Sequence, residues 1–297
     1  MSNRVNESVC RTVTQTIIDF IASVNTPQWV QPWQGMGLPR NKASGKPYRG
    51  INTLLLLVAT MRMRFRSNFW LTFNQLKRMG GRVKPGMRGT GIVFFSCHEG
   101  PVTLVDDISG EVNETIEKRW LLRNYVVFNV DQTTLEIEPV NAPQFTPIEI
   151  ADDLITEIPA VIEHGGDSAY YNMVRDTITL PDKGAFESAD AYYATLLHEL
   201  THWTGHWERL SRLDCGQFGS TTYAKEELVA ELGSAFVCAH LGIAKNRLQH
   251  GAAYIKSWLK ILNNDIRFIF KAANDAQKAC DHIMSYRRKP AGKSKTA

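Results

Sequence analysis

The segment LLHELTHWTGH, Leu196 to His206, holds three histidines at four-residue intervals with an acid directly after the first. On a helix, His198 and His202 fall on one face about 40° apart, so two imidazole nitrogens reach a single cation at about 2.0–2.1 Å. Glu199 lies one step round and faces the coordination position that such an ion keeps open. There it takes a proton from water activated by the ion and later passes it to a leaving amine, the division of labour in HExxH metallopeptidases. Such an ion needs a third protein ligand.

The acids available on the next predicted helix are Glu226, Glu227 and Glu231 in KEELVAELGSAF. Glu227 and Glu231 are one turn apart on a shared face. Glu227 is read as the ligand and Glu231 as the carboxylate that holds a ligand histidine by its second nitrogen, with the reverse assignment as the alternative. His206 lies about 80° off the ligand face and is read as packing or substrate contact. Glu208 falls where a metzincin pattern keeps its third ligand, which makes it a rival to Glu227. Histidine and carboxylate donors suit Zn2+, and Mn2+ or Fe2+ accept the same set.

These residues need a scaffold, and the chain predicts an α+β protein of two domains. Val9, Val13, Ile17, Phe20, Ile21 and Val24 recur at helical spacing, and Pro27 ends that helix. After a loop from Trp29 to Gly50, a second helix is expected over 52–65 and a short third from Thr72 to the Gly80–Gly81 stop. The period then changes to two in GIVFFS, PVTLVD and RWLLRNYVVFNVDQ, three expected strands. Pro139, Pro143 and Pro147 mark a linker. Beyond it come a helix over 150–164, a strand pair around AYYNMVRDTITLP, a helix from Ala189 through His206, another over 224–241, and one long helix over 252–284. Asp176–Pro181 is expected to be an edge strand that could hold an extended peptide beside the metal. The expected division is 1–132, a linker over 133–149, a metallopeptidase-like domain over 150–286, and a basic disordered tail over 287–297.

A net charge of +4 conceals an uneven distribution: residues 1–130 hold 17 basic against 8 acidic residues, and residues 131–297 hold 17 against 22. Between Asp19 and Glu99 there is no acid at all. Surfaces normally mix signs, so this interval points to a polyanion. Aromatic residues interleave with its cations, which suits single-stranded nucleic acid: cations neutralise phosphates and rings stack on unpaired bases. Lys46 and Arg49 are read as phosphate contacts, Tyr48 and Trp70 as stacking rings, and Asn52 as a hydrogen-bonding group. Arg82, Lys84 and Arg88 extend the surface along a glycine-rich turn. For any single ring, filling the core is the competing reading, and the charge asymmetry carries the argument. No apolar run approaches a membrane span and the first residues contain no signal-peptide core, so a cytoplasmic protein without a membrane partner is expected. Cys10, Cys97, Cys215, Cys238 and Cys280 are odd in number and widely separated, hence ordinary thiols.

The run WVQPW, GLPRN and SGKPYRGIN, followed by NFWLTFNQLKRMGGRVKPGMRGTGIVFF, resembles the N-terminal domain of ArdC-like antirestriction proteins of plasmids. The stretch from YYNMVRDTITLP through HELTHWTGHWERL to YAKEELVAELGSAF resembles the zincin-like metallopeptidase domain that follows it in that family. The resemblance implies a domain binding single-stranded DNA joined to a zinc-dependent peptidase-like domain; double-stranded DNA is a second expected partner. It implies His198 and His202 as ligands, Glu199 as base and an acid of EELVAE as third ligand. It further implies transfer by conjugation and action in the recipient bacterial cytoplasm, where incoming DNA is protected from restriction. The protein substrate is then an unidentified one, part of the restriction machinery being a candidate. Two rival activities fit the same residues: DNA masking with a structural metal site, and a DNA-linked protease that clears crosslinked proteins.

Overall fold

The computed structural model describes residues 2–23, 37–105, 112–136, 147–213, 221–243 and 251–287. The first half contains α1 (Ser2–Ser23), β1 (Arg40–Asn41), α2 (Ile51–Met63), β2 (Phe69–Thr72), α3 (Phe73–Arg78), β3 (Thr90–Val105) and β4 (Val112–Asn129). Its sheet has the order β1-β2-β4-β3, with β1 parallel to β2 and the other pairs antiparallel. Strand alternation in β2 divides the local core between the two faces. Trp70 meets Leu56, Phe65, Ile92 and Val127 on one side, and Leu71 meets Leu76 and Val130 on the other. Thr72 begins α3 as expected: its hydroxyl accepts from the Gln75 backbone while the Gln75 side chain accepts from the Thr72 backbone. GIVFFS and PVTLVD, expected as two strands, form the single strand β3. It lies at the edge of the sheet.

The second half contains α4 (Pro147–Glu157), β5 (Val161–His164), β6 (Tyr170–Asn172), β7 (Thr177–Leu180), α5 (Ala189–Trp203), α6 (Thr221–Leu241), α7 (Gly251–Asn264) and α8 (Phe268–Ser285). The helix expected to reach residue 164 stops at Glu157, because Pro159 disfavours helix in the residue before it. The freed chain forms β5, which pairs parallel with β7. The resulting order β5-β7-β6 places β7 in the middle, so Asp176–Pro181 is not the expected edge; β6 is. The single long C-terminal helix is interrupted at Asp265, whose carboxylate accepts from the Arg267 backbone and competes with the helical bond. Residues 137–146 of the expected linker and the tail beyond Arg287 lie outside the described residues. Cys10, Cys238 and Cys280 are buried free thiols. Among the described residues no helix is long and apolar enough to cross a membrane.

One apolar core joins the halves. Val13, Ile17, Leu55 and Val58 from α1 and α2 belong to the same buried cluster as Leu154, Leu200, Phe236, Leu262 and Ile269. Polar contacts line the seam: the Thr14 hydroxyl donates to the Ile266 carbonyl at 2.6 Å, and the Gly50 N–H donates to Gln277 Oε1 at 2.9 Å. Arg49 forms an ion pair with Asp281.

Helix α6 meets α5 at an unusually close point. A Cβ on Gly233 would stand 2.5 Å from Cγ2 and 3.1 Å from Oγ1 of Thr201. Thr201 is fully buried and β-branched, and its hydroxyl donates to the Leu197 carbonyl at 2.7 Å, so it has no room to retreat. Only glycine permits this approach. Gly233→Ala is therefore expected to cost about 1–3 kcal/mol in chemical denaturation, with part recovered by adding Thr201→Ala.

Candidate metal centre

Ser188 caps α5 by accepting from the Ala191 N–H at 3.1 Å. Leu196, Leu197, Leu200 and Trp203 anchor the helix in the core. That anchoring turns His198 and Glu199, 1% and 3% exposed, toward α6. The Nε2 atoms of His198 and His202 stand 3.2 Å apart. Glu227 on α6 completes the group, its Oε2 3.4 Å from His198 Nε2 and its Oε1 3.6 Å from His202 Nε2. Donors at about 2.0–2.2 Å from a tetrahedral ion stand about 3.3–3.6 Å from one another. The three side chains therefore have the spacing of a metal site. Glu227 Oε2 is buried and no hydrogen bond meets it, as expected of an oxygen that a cation would satisfy. Of the described residues, His198, His202 and Glu227 form the metal-competent group of histidine, cysteine and acid side chains.

The carboxylates near the histidines are placed unequally. Glu231 Oε1 stands 3.7 Å from His198 Nδ1, an electrostatic contact beyond hydrogen-bond reach. The second nitrogen of His202 faces Glu226, 3.3 Å away, a role the sequence reading did not assign. Glu226 is in turn gripped by Arg212, whose Nε and Nη2 donate at 2.9 and 2.8 Å. Arg212 Nη2 also donates to the Thr201 carbonyl at 2.7 Å, fixing the end of α5 to the start of α6.

Helix α5 ends at Trp203 and the chain turns at Gly205, so it does not continue through His206 as expected. His206 is buried, accepts from the Glu208 N–H at 3.3 Å and lies 3.8 Å from the Trp207 ring. Glu208 is exposed. Neither joins the metal-competent group, because the turn carries both away from the ligand face. The loop contributes arginines instead. Arg209 lies over Trp203 at 3.9 Å, donates to its carbonyl at 2.6 Å and pairs with Asp176 next to β7. Hydrogen bonding from Arg209 holds the Asp176 carboxyl below its ordinary range. The edge of the small sheet is thereby tied to the metal-bearing helix.

His198, Glu199, His202, Arg212, Glu226 and Glu227 line a cleft of about 680 Å³, with Ala169, Tyr170 and Tyr171 around β6 on one side and α8 on the other. Burial by itself lowers the pKa of His202, but Glu226, then Glu199 and Glu227, outweigh it and raise the value to about 9. Burial raises that of Glu227, but hydrogen bonding to His198 and electrostatic attraction to the neighbouring histidines bring it to about 2. The carboxylates around His202 thus favour positive charge at this centre.

The basic half redistributes its expected contacts. Trp70 is 0% exposed and cannot stack on a base. Both polar ends of the Asn52 side chain are used by Val93, at 2.7 and 2.9 Å. Arg49 pairs with Asp281, and Tyr48 is half-buried with its hydroxyl accepting from Asn41 at 3.2 Å. Lys46, Arg82, Lys84 and Arg88 are exposed, with Lys84 donating to the Asp131 carbonyl at 3.0 Å. Phe73, which the sequence pattern does not distinguish from Trp70, is 57% exposed on α3 beside Lys77 and Arg78.

Residues 7–128 match the N-terminal domain of the anti-restriction factor ArdC, and residues 149–275 match the zincin-like metallopeptidase family. Fold and site together define a two-domain α+β protein whose second half is metallopeptidase-like. Crystal structures of the antirestriction ArdC protein from plasmid R388 superpose with a TM-score of 0.73. The metal-free form is 38% identical over 94% of this chain and 97% of that one. The Mn(II)-bound form is 35% identical over 94% and 98%. An uncharacterized protein, y4eC of Sinorhizobium fredii, is 36% identical over 91% of this chain and 89% of its own length. Two Escherichia coli proteins named DNA primase TraC are 37% identical over 93% of this chain, which spans only 20% and 27% of their lengths. The chain belongs to the ArdC antirestriction family.

Because the folded pKa of His202 is raised from 6.5 to about 9, its contribution to stability is complete below pH 6.5 and is lost as the pH rises through about 9. The melting temperature of chelator-treated protein is expected to fall across that interval, and to fall less in Glu226→Gln. Equal slopes in the two proteins would remove Glu226 as the cause.

Proposed function

We propose that this protein is an antirestriction factor that binds single-stranded DNA through its basic half and acts on a protein substrate with a zinc-dependent peptidase centre. The observation that carries the peptidase reading is the placement of Glu199 in the same cleft as His198, His202 and Glu227. In this reading the two histidines and Glu227 hold the ion. A divalent metal held there would supply Lewis acidity toward a peptide carbonyl and a water molecule. Glu199 accepts the water's proton and returns it to the leaving nitrogen. Glu226, held by Arg212, orients the His202 ring and its tautomer, and Glu231 places a negative charge 3.7 Å behind His198. The edge strand β6 offers backbone groups along which an extended substrate lies. Zinc is the ion proposed for this donor set, and the Mn(II)-bound R388 relative makes manganese the first competitor to test.

For DNA, Lys46, Arg82, Lys84 and Arg88 supply phosphate contacts and the exposed Phe73 takes the stacking role first given to Trp70. The setting is the cytoplasm of a bacterium receiving plasmid DNA.

Elemental analysis of protein purified without chelator should give one zinc per chain, lost in His202→Ala and Glu227→Ala and kept in Glu231→Ala. Glu226→Gln should weaken metal affinity about 10- to 100-fold without abolishing it. Glu199→Ala should keep the metal and lose peptide cleavage; if restriction protection survives in that variant, DNA masking is the activity.

Reversing Arg82, Lys84 and Arg88 to Glu should reduce the slope of log K for single-stranded DNA against log salt by about 2. Phe73→Ala should cost about 1–3 kcal/mol of DNA affinity, and Trp70→Phe close to nothing. An unchanged slope would move the DNA site elsewhere.

A further inference from the structure

The charges lining the metal cleft do not cancel. In the loaded centre, the two charges of the ion are matched by Glu227 and Glu199, and Glu226 is matched by Arg212. Asp275 bonds to Lys278 at 3.2 Å. Two lining cations remain, Lys225 and Lys271, and neither forms an ion pair among the described residues. Both stand on the same wall. Lys225, at the start of α6, holds its ammonium 5.2 Å from the Phe268 ring centre. Phe268, Lys271, Ala272 and Asp275 follow one another at the spacing of a single helix face on α8, and all line the cleft. The wall is therefore an apolar strip of Phe268 and Ala272 with Lys225 and Lys271 beside it and Asp275, its charge met by Lys278, at its far end. Facing it is β6, a sheet edge whose unpaired backbone groups suit an extended peptide better than a sugar–phosphate chain.

We infer that this cleft selects peptide segments carrying acidic side chains next to the bond to be cut, with Lys225 and Lys271 receiving the carboxylates and Phe268 packing their aliphatic stems. The inference rests on the peptidase reading above and specifies its substrate class. Lysine at the wall of a cleft that also holds a cation disfavours basic segments by repulsion as much as it favours acidic ones.

The test uses the full-length, zinc-loaded protein and paired fluorogenic decapeptides that differ only by Glu or Gln on either side of the central bond. The Glu peptide is expected to be cleaved with a kcat/KM about five- to tenfold higher. In Lys225→Glu/Lys271→Glu, with zinc content and circular dichroism verified, the preference should reverse toward a Lys-containing peptide. Equal cleavage of the Glu and Gln peptides by wild type, or an unaltered preference in the double variant, overturns the inference and leaves the peptidase reading intact. Absence of both cleavage and anisotropy-detected binding for every peptide overturns the two together. A double variant with weakened single-stranded DNA affinity and unaltered peptide preference assigns the lysines to nucleic acid and overturns the inference.

Discussion

The metal-competent site exists because two helices approach more closely than side chains normally allow. With a hydrogen at Gly233 in place of a methyl, the Thr201 side chain seats against the α6 backbone. From α5, His198 and His202 flank Thr201; from α6, Glu226, Glu227 and Glu231 meet them. Widening the interface by even a methyl radius would take the carboxylate oxygens out of a cation's reach, since the donor spacing leaves no slack. The apolar stripe of α5 and the loop arginines all act to hold this one contact.

The same contact buries charge. His198, Glu199, Glu227 and Glu231 are each less than 5% exposed, and grouping ionisable side chains away from water opposes folding unless each finds a counter-charge. Protonated His202 serves partly in that role in the metal-free protein, and the Arg212–Glu226 fork supplies a permanent pair beside it. A cation accomplishes more, because it neutralises the carboxylate that protonation leaves unsatisfied. A metal held by these donors would link stability to occupancy, because the unfolded chain could not gather them.

How far this was legible in the sequence depended on whether the deciding contact was local. His198, Glu199 and His202 could be read because helical spacing alone puts the two rings on one face. Glu227 and Glu231 could be read as a facing pair for the same reason. Glu226 could not: its role depends on how α6 is rotated against α5 and on Arg212, which arrives from the loop between them. Trp70 and Phe73 are both aromatic residues in one basic segment, and only the pairing of β2 inside the sheet decides that one is interior and the other exposed. β7 was mistaken for an edge because β5, with Glu163 and His164 in a four-residue strand, has little apolar alternation to announce it.

The seam between the halves has an evolutionary consequence. Val13, Ile17, Leu55 and Val58 are buried by helices that lie more than a hundred residues further along the chain, and Gly50 and Arg49 are bonded to α8. Neither half can be shuffled into another gene without carrying off a raw apolar face. The two longer E. coli proteins named DNA primase TraC each match 93% of this chain, across both halves. Whatever either half does, it does on a fold that the other half completes.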